Sequence, residues 1–241
     1  MGVIYEPKGR AREYSPLAVN LYTGCVHGCK YCYVPGVLRQ FRPKFHTNVK
    51  PRKNILKKLE SDCKKMEGDP RQILLCFTCD PYQPEDQVES ITREALLILE
   101  RHHMNVTVLT KGGRRAIRDF DILRQNEWSF GTSLSFSSNR FVREWEPEPS
   151  ANPLERIEII RGAYESNIAT WVSVEPVIYI SEALEVMDTL KDIVNHWKIG
   201  KLNYFPDIER TIDWTFFLKS AERILQGRSY YIKKDLEAYR K

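Results

Sequence analysis

Cys25, Cys29 and Cys32 stand at C-x3-C-x2-C spacing in the loop Thr23-Gly24-Cys25-Val26-His27-Gly28-Cys29-Lys30-Tyr31-Cys32-Tyr33. Three thiolates on one short loop can wrap a single metal centre. Structural zinc takes four protein ligands and an iron–sulfur cubane usually takes four cysteines, so three cysteines leave one position open for a reactant. The alternative is a zinc site completed by His27, or by Cys76 or Cys79 from a later strand. His27 lies between two of the cysteines, where closing the loop on one ion is cramped. Cys76 and Cys79 are an odd number of residues apart, so a regular strand points them to opposite faces. Cys63 stands alone. Thiols clustered in this way indicate metal chemistry in a reducing compartment and not a disulfide framework.

The elements that must position this loop follow one pattern. After Gly36, short β-rich apolar runs alternate with amphipathic helical runs, which implies a parallel sheet with crossover helices. The pattern predicts strands near Leu17–Tyr22, Gln72–Thr78, Asn105–Thr110, Ser129–Phe136, Ala169–Glu175 and Trp197–Leu202. Helices are predicted at Pro51–Met66, Val88–His102, Arg114–Arg124, Pro153–Tyr164, Ser181–Lys191 and Thr211–Leu225. Pro51 suits a first helical position, and Asn152-Pro153 with Glu155 reads as an N-cap, a first-turn proline and a capping carboxylate. Pro176 and Pro206 are expected to close the last two strand regions. These are six βα units in an α/β chain, too few for a closed eight-stranded barrel, which leaves an open partial barrel or a doubly wound sheet. Both place chemistry at the carboxyl ends of the strands. The expected organisation is a single domain over residues 1–241: an N-terminal extension at 1–15, a βα core at 16–205 and a C-terminal helical region at 206–241.

Composition narrows the classes further. The 241 residues are 42% hydrophobic and 29% charged, enough for a sizeable core and too ordinary for a disordered, collagen-like or coiled-coil chain. No stretch has the roughly 18 uninterrupted apolar residues of a membrane span, and residues 1–14 carry charges where a secretory signal needs an apolar core, so the expected compartment is cytoplasmic, with no membrane partner. Residues 1–60 hold twelve Lys or Arg against three Glu, a net of +9 in a chain whose total is +5. Arg39, Arg42, Lys44, Lys50, Arg52, Lys53, Lys57 and Lys58 are interleaved with Phe41, Phe45 and His46, a pattern that tracks phosphates while stacking on nucleobases. A second basic patch comprises Lys111, Arg114, Arg115 and Arg118. Nucleic acid is the expected substrate, although a helix such as Pro51–Met66 also needs a solvated face that lysines supply.

At the cysteine loop the sequence resembles the radical S-adenosylmethionine (SAM) superfamily, whose signature is this spacing with an aromatic residue, here Tyr31, just before the third cysteine. The resemblance implies a 4Fe-4S cluster on Cys25, Cys29 and Cys32, with SAM chelating the unique iron through its amino and carboxylate groups. It also implies a partial (βα)6 barrel, in agreement with the six units counted above. Within the superfamily the chain resembles spore photoproduct lyase and its DNA-repair-photolyase-like relatives, over about Leu17 to Leu202. Tyr31-Cys32-Tyr33 reproduces the Tyr-Cys-Tyr of that family, Phe77-Thr78-Cys79-Asp80 matches its Cys-Thr-Ser-Asp, and Thr110-Lys111 and Ser135, followed by Glu146-Pro147, match positions near the cofactor.

What the resemblance implies for individual residues fits their chemistry. SAM presents an amino group, a carboxylate, a sulfonium and an adenine, which call for an acceptor, a cation and apolar or aromatic faces. Asp80 is the expected acceptor for the amino group and Lys111 the partner of the carboxylate. Tyr31 and Val174 are expected to flank the adenine, Ser135 to lie near the cofactor and Glu175 to reach the ribose hydroxyls. One departure bears on the reaction: Phe77 occupies the place of the lyase cysteine that gives a hydrogen atom to the product radical. Strand alternation puts Cys79 on the same face as Phe77 and Cys76 on the other, so Cys79 is the expected substitute donor, with Tyr33 as a relay, or else a cofactor contact. An external electron donor such as flavodoxin or ferredoxin is implied. The competing functions are a radical SAM enzyme on a small molecule, peptide or tRNA, and a non-catalytic zinc module that binds nucleic acid.

Overall fold

Seven parallel strands and one small antiparallel ribbon build the computed structural model, which describes residues 2–240. The strands in chain order are β1 (Leu17–Val19), β2 (Tyr22–Thr23), β3 (Lys50–Pro51), β4 (Gln72–Leu75), β5 (Asn105–Thr110), β6 (Ser129–Ser133), β7 (Ala169–Val177), β8 (His196–Lys201) and β9 (Tyr230–Ile232). The sheet runs in the order β1-β4-β5-β6-β7-β8-β9, with every neighbouring pair parallel, and curls into a half-barrel. This is the partial barrel, one of the two arrangements that the six-unit count leaves open and the one that the resemblance implies, extended by a seventh strand. β9 lies in the region expected to be helical, and its three residues are too short a run to carry a periodicity signal.

Alternation along the strands sorts side chains between two layers. Ile73 and Leu75, Val106 and Val108, Phe130, Val172 and Val174, and Trp197 and Ile199 belong to the main core with the surrounding helices. The concave face is smaller and more polar. Ala18, Leu74 and Trp171 pack there with Tyr14, Phe77 and Leu109. A Cβ on Gly131 would collide with the Trp171 indole, so Gly131 is what admits that ring to the barrel interior.

Several predicted boundaries move, each for a local reason. The helix expected from Pro51 starts at Ile55, because Pro51 is paired with Tyr22 in the β2–β3 ribbon and Asn54 turns left-handed at φ 55°. The expected helix Val88–His102 is two helices, Pro84–Glu89 and Ile91–Arg101, broken at Ser90 with φ 52°. Arg114–Arg124 is a 3-10 segment, Gly113–Asp119, followed by the helix Phe120–Gln125. Strand β7 continues through Pro176, and Pro206 opens the short helix Pro206–Glu209. The Asn152 cap forms as predicted, its side chain accepting from the Glu155 N–H at 2.9 Å at the head of the helix Pro153–Glu165. No helix among the described residues is long and apolar enough to cross a membrane.

Candidate functional site

The three cysteines sit between β2 and β3, in a loop that also contains the short helices Val34–Val37 and Arg42–Thr47. Gly24 has φ +80°, and a Cβ there would lie 2.5 Å from the Phe45 carbonyl oxygen, so the loop closes on the second helix only with glycine at this position. That helix then holds the loop carbonyls. Arg42 Nη2 donates to the carbonyls of Cys29 (2.6 Å) and Lys30 (2.7 Å), and its Nη1 donates to that of Cys32 (2.8 Å). His46 Nδ1 lies 2.8 Å from the Cys25 carbonyl. From the rest of the barrel, the Trp145 carbonyl accepts from the Lys30 N–H at 2.8 Å and Gln83 Oε1 from the Val26 N–H at 3.2 Å. Arg42 and His46, expected among the nucleic-acid contacts, are therefore committed to the loop. Arg52 is likewise committed, donating to the Tyr22 carbonyl at 3.1 Å.

Cys25, Cys29 and Cys32 face a cavity of about 610 Å³ at the carboxyl ends of the strands, together with Tyr31, Tyr33, Cys79, Asp80, Lys111 and Glu175. All six cysteines are free. Burial pushes the thiols up, that of Cys29 to about 11, so metal binding must displace their protons. Among the described residues no three His, Cys, Asp or Glu side chains are arranged to hold a single metal ion. A cubane asks something different of its ligands, since each cysteine binds a separate iron, and three free thiols lining one cavity fit that demand. His27, the other candidate ligand, has a polar neighbour at each ring nitrogen. Its Nδ1 lies 3.4 Å from the Asp80 carboxylate and Arg115 Nη2 lies 3.3 Å from its Nε2, while burial pulls the imidazole down to about 4 and keeps it neutral.

Lys111 follows β5, its Nζ 5.6 Å from the centroid of the Tyr31 ring and without an ion-pair partner among the described residues. Asp80 also lines the cavity, but its carboxylate is occupied. Oδ1 accepts from Thr110 Oγ1 (2.6 Å) and the Tyr82 N–H (2.9 Å), and Oδ2 from the Lys111 N–H (2.6 Å), with His27 nearby. Burial alone would raise this carboxyl, but His27 and these donors outweigh it and hold the group below the usual carboxylate range. The expected free acceptor is thus a tie between the β4 and β5 loops that fixes Lys111. Glu175 is similarly engaged, by Lys233 Nζ at 2.9 and 3.0 Å and by the Tyr14 hydroxyl, so its expected reach to a ribose has two competitors.

Two expected contacts are not brought to the cavity. Val174 is fully buried in the main core, on the opposite side of β7 from Ser173 and Glu175, and the adenine contact expected of it is corrected accordingly. Ser135 lies beyond the end of β6, and Ser133 lines the cavity instead. The parity expected of Cys76 and Cys79 also fails: β4 stops at Leu75, the chain turns, and both residues line the same cavity.

Sequence reasoning missed several partners. Tyr31 donates through its hydroxyl to Glu146, whose other oxygen pairs with Arg156 at 2.5 Å. Arg156 has the spacing of an ordinary helix residue and carries no local signal. Lys233 and Tyr14 enter the site from opposite ends of the chain, one beside the short β9 and the other in the N-terminal extension.

The radical SAM superfamily matches residues 19–193, nearly three quarters of the sequence. The chain belongs to this superfamily. Membership implies the 4Fe-4S cluster and SAM. An uncharacterized protein of Methanocaldococcus jannaschii is 24% identical over 162 residues, covering 66% of this chain and 60% of the relative. Another, from Acidianus two-tailed virus, is 26% identical over 197 residues, covering 73% and 63%. The chain thus spans less than two thirds of these curated relatives. Among solved structures, a cysteine-to-serine mutant of spore photoproduct lyase superposes with a TM-score of 0.69 at 14% identity, over 95% of this chain and 79% of the lyase. SuiB of Streptococcus suis bound to S-adenosylmethionine gives 0.67 at 12% identity, over 92% of this chain and 52% of SuiB. At such identities these likenesses establish the shared fold.

Proposed function

We propose that this chain is a radical SAM enzyme that holds its cluster on Cys25, Cys29 and Cys32, binds SAM beside it, and acts on nucleic acid. The observation that carries the reading is the convergence of three free thiols, Tyr31 and Lys111, which makes no ion pair among the described residues, on one cavity at the carboxyl ends of a parallel half-barrel. When bound, the cluster supplies the electron that cleaves SAM to methionine and a 5′-deoxyadenosyl radical. The chain's own residues bind and orient. Lys111 is the cation for the SAM carboxylate, Tyr31 offers its ring to the adenine, and Asp80 acts indirectly by fixing the Lys111 backbone. Cys79 and Tyr33 are the candidates for contact with the reacting groups, since both line the cavity.

Charge supports an anionic substrate. Of the twelve bases in residues 1–60, Lys8, Arg39, Lys44, Lys50, Lys53, Lys57 and Lys58 are all exposed and make no ion pair among the described residues. Exposed Phe41 and Tyr204 offer stacking faces, and Tyr204 stands at the cavity itself. The experiment is anaerobic reconstitution with SAM, a reduced flavodoxin or ferredoxin and lesion-bearing DNA, following 5′-deoxyadenosine and repaired base together. Repair coupled to cleavage supports the lyase-like reading. Cleavage without repair, with no salt-dependent retention of DNA, transfers the reading to a small molecule, peptide or tRNA. A colourless zinc protein that cleaves no SAM removes it altogether.

A further inference from the structure

Tyr204, just beyond β8, lines both the cofactor cavity and a second cavity of about 450 Å³ that Cys32, Tyr33, Val37 and Phe205 also line. Its ring is 74% exposed and makes no hydrogen bond, aromatic contact or cation–π contact among the described residues. The backbone there is left-handed at φ 69°, and Tyr204 is the one Tyr, Phe or Trp in that region among the described residues. A bulky side chain disfavours this conformation, and an exposed ring gains no burial to offset it. The conformation persists because both neighbours are pinned. Asn203 Nδ2 donates to the Lys201 carbonyl and to Asp235 Oδ2, each at 3.1 Å. The Phe205 N–H donates to Glu209 Oε1 at 3.1 Å, and the Phe205 ring meets that of Trp145 edge-on with centroids 5.4 Å apart. The fold thus holds an unpacked aromatic ring at the cavity in a conformation it would otherwise leave, as in a ligand clamp and unlike a packing residue.

Charge around the cavity selects what this ring stacks on. Lys8 lines the same cavity, is exposed and makes no ion pair among the described residues. The carboxylates that pin the neighbours of Tyr204 are answered, Glu209 by Lys201 at 2.7 Å and Asp235 by Arg10 at 3.5 Å. A planar group with an anion beside it suits this pair of residues, whereas an uncharged aromatic side chain of a peptide leaves Lys8 unused. We infer that Tyr204 selects unpaired nucleobases: its ring stacks on one base of a single strand, or on a base turned out of a duplex, while Lys8 pairs with a nearby phosphate. This rests on the nucleic-acid reading above and narrows it. Inside a closed duplex both faces of a base are covered by its neighbours, so a ring at a cavity stacks only on a base that has left the stack.

The test measures binding and needs no turnover. The cluster-loaded full chain, kept anaerobic and without reductant, is titrated against three fluorescein-labelled probes by fluorescence anisotropy: a short oligothymidylate, an abasic strand of the same length and charge, and the oligothymidylate paired with its complement. The oligothymidylate should bind about 5- to 150-fold more tightly than the abasic strand, the worth of stacking one base. Tyr204→Ala and Tyr204→Gly should bring it to the abasic affinity and leave the abasic strand and the duplex unchanged, and Tyr204→Phe should keep the preference. Tyr204→Gly should also melt no lower than wild type, since glycine adopts φ 69° without strain. Lys8→Ala should weaken both single strands alike and reduce the salt slope by about 0.7, the value for one single-strand phosphate. Equal affinity of wild type for oligothymidylate and abasic strand, or a preference that survives in Tyr204→Ala, would overturn the proposal and leave the nucleic-acid reading standing. No salt-dependent binding of any probe would remove both. A lower melting temperature in Tyr204→Gly would show that the ring packs against the protein and overturn its assignment as a clamp.

Discussion

Glu146 and Arg156 form an ion pair at 2.5 Å in which neither side chain meets solvent, at 1% and 0% exposure, and the Tyr31 hydroxyl donates to the same carboxylate. A buried pair gains little over an apolar isostere, but breaking it strands a charge. Arg156 spends its remaining donors on the carbonyls of Ala151 and Ser133, so the network joins the cluster loop to β6 and to the head of the helix Pro153–Glu165.

Glu146→Gln keeps an acceptor for Tyr31 and removes the charge facing Arg156. The expected cost is about 3–5 kcal/mol in chemical denaturation at pH 7. Burial alone would raise the Glu146 carboxyl, but Arg156 and Lys111 hold it below 4.5, so its contribution is present above pH 4.5 and is lost as pH falls through the lower folded value. The gap between wild type and variant should therefore narrow on acidification below pH 4.5. A gap independent of pH would show that the carboxylate charge is not what stabilises the pair.

Lys111→Ala should weaken SAM binding with the fold intact, because the ammonium makes no hydrogen bond or ion pair among the described residues. A charge-assisted hydrogen bond is worth about 1.5–3 kcal/mol, roughly 10- to 150-fold in Kd. Calorimetry on the cluster-loaded protein measures the loss, and unchanged affinity would move the carboxylate contact to another cation. Asp80→Ala should lower affinity and thermal stability together, since it unties Thr110, Tyr82 and the Lys111 backbone at once.

The fold was legible where periodicity was long. Asn105–Thr110 appears as predicted, and the Asn152 cap was readable because its chemistry lies within four residues. The cysteine triad was readable for the same reason. Errors collected where the backbone departs from regular geometry: the turn after Leu75 defeats strand parity for Cys76 and Cys79, and Ser90 and Asn54 break helices at left-handed positions without glycine. Partners distant in sequence left no trace. Glu175 reads as a strand end until Lys233, 58 residues later, and Tyr14, 161 residues earlier, occupy its oxygens.

The three cysteines proposed to hold the cluster separate from the other three by a simple substitution series. Replacing Cys25, Cys29 or Cys32 by Ala should abolish the broad iron–sulfur absorption near 400 nm in the anaerobically reconstituted protein, because a cubane left with two protein ligands is not retained. Cys63→Ala should leave the absorption unchanged and lower stability by about 1 kcal/mol, through the small cavity it opens in the main core. A cluster retained in Cys29→Ala would defeat the assignment.

Arg42 tests whether the basic N-terminal region serves the cluster or the substrate. Its guanidinium meets three carbonyls, those of Cys29, Lys30 and Cys32, so one side chain fixes the backbone between two of the proposed cluster ligands. Arg42→Lys keeps the charge but loses the planar fork that spans those carbonyls. If Arg42 positions the loop, Arg42→Lys and Arg42→Ala should both accelerate cluster loss to a chelator, by about tenfold for the loss of one such hydrogen bond, and Arg42→Lys should leave the salt dependence of DNA retention unchanged. Lys57→Ala with Lys58→Ala, two exposed cations that make no ion pair among the described residues, should do the reverse: normal cluster retention, and a salt slope reduced by about one for each phosphate no longer neutralised. A wild-type rate of cluster loss in Arg42→Ala would show that the glycine turn and the β2–β3 ribbon hold the loop without the guanidinium.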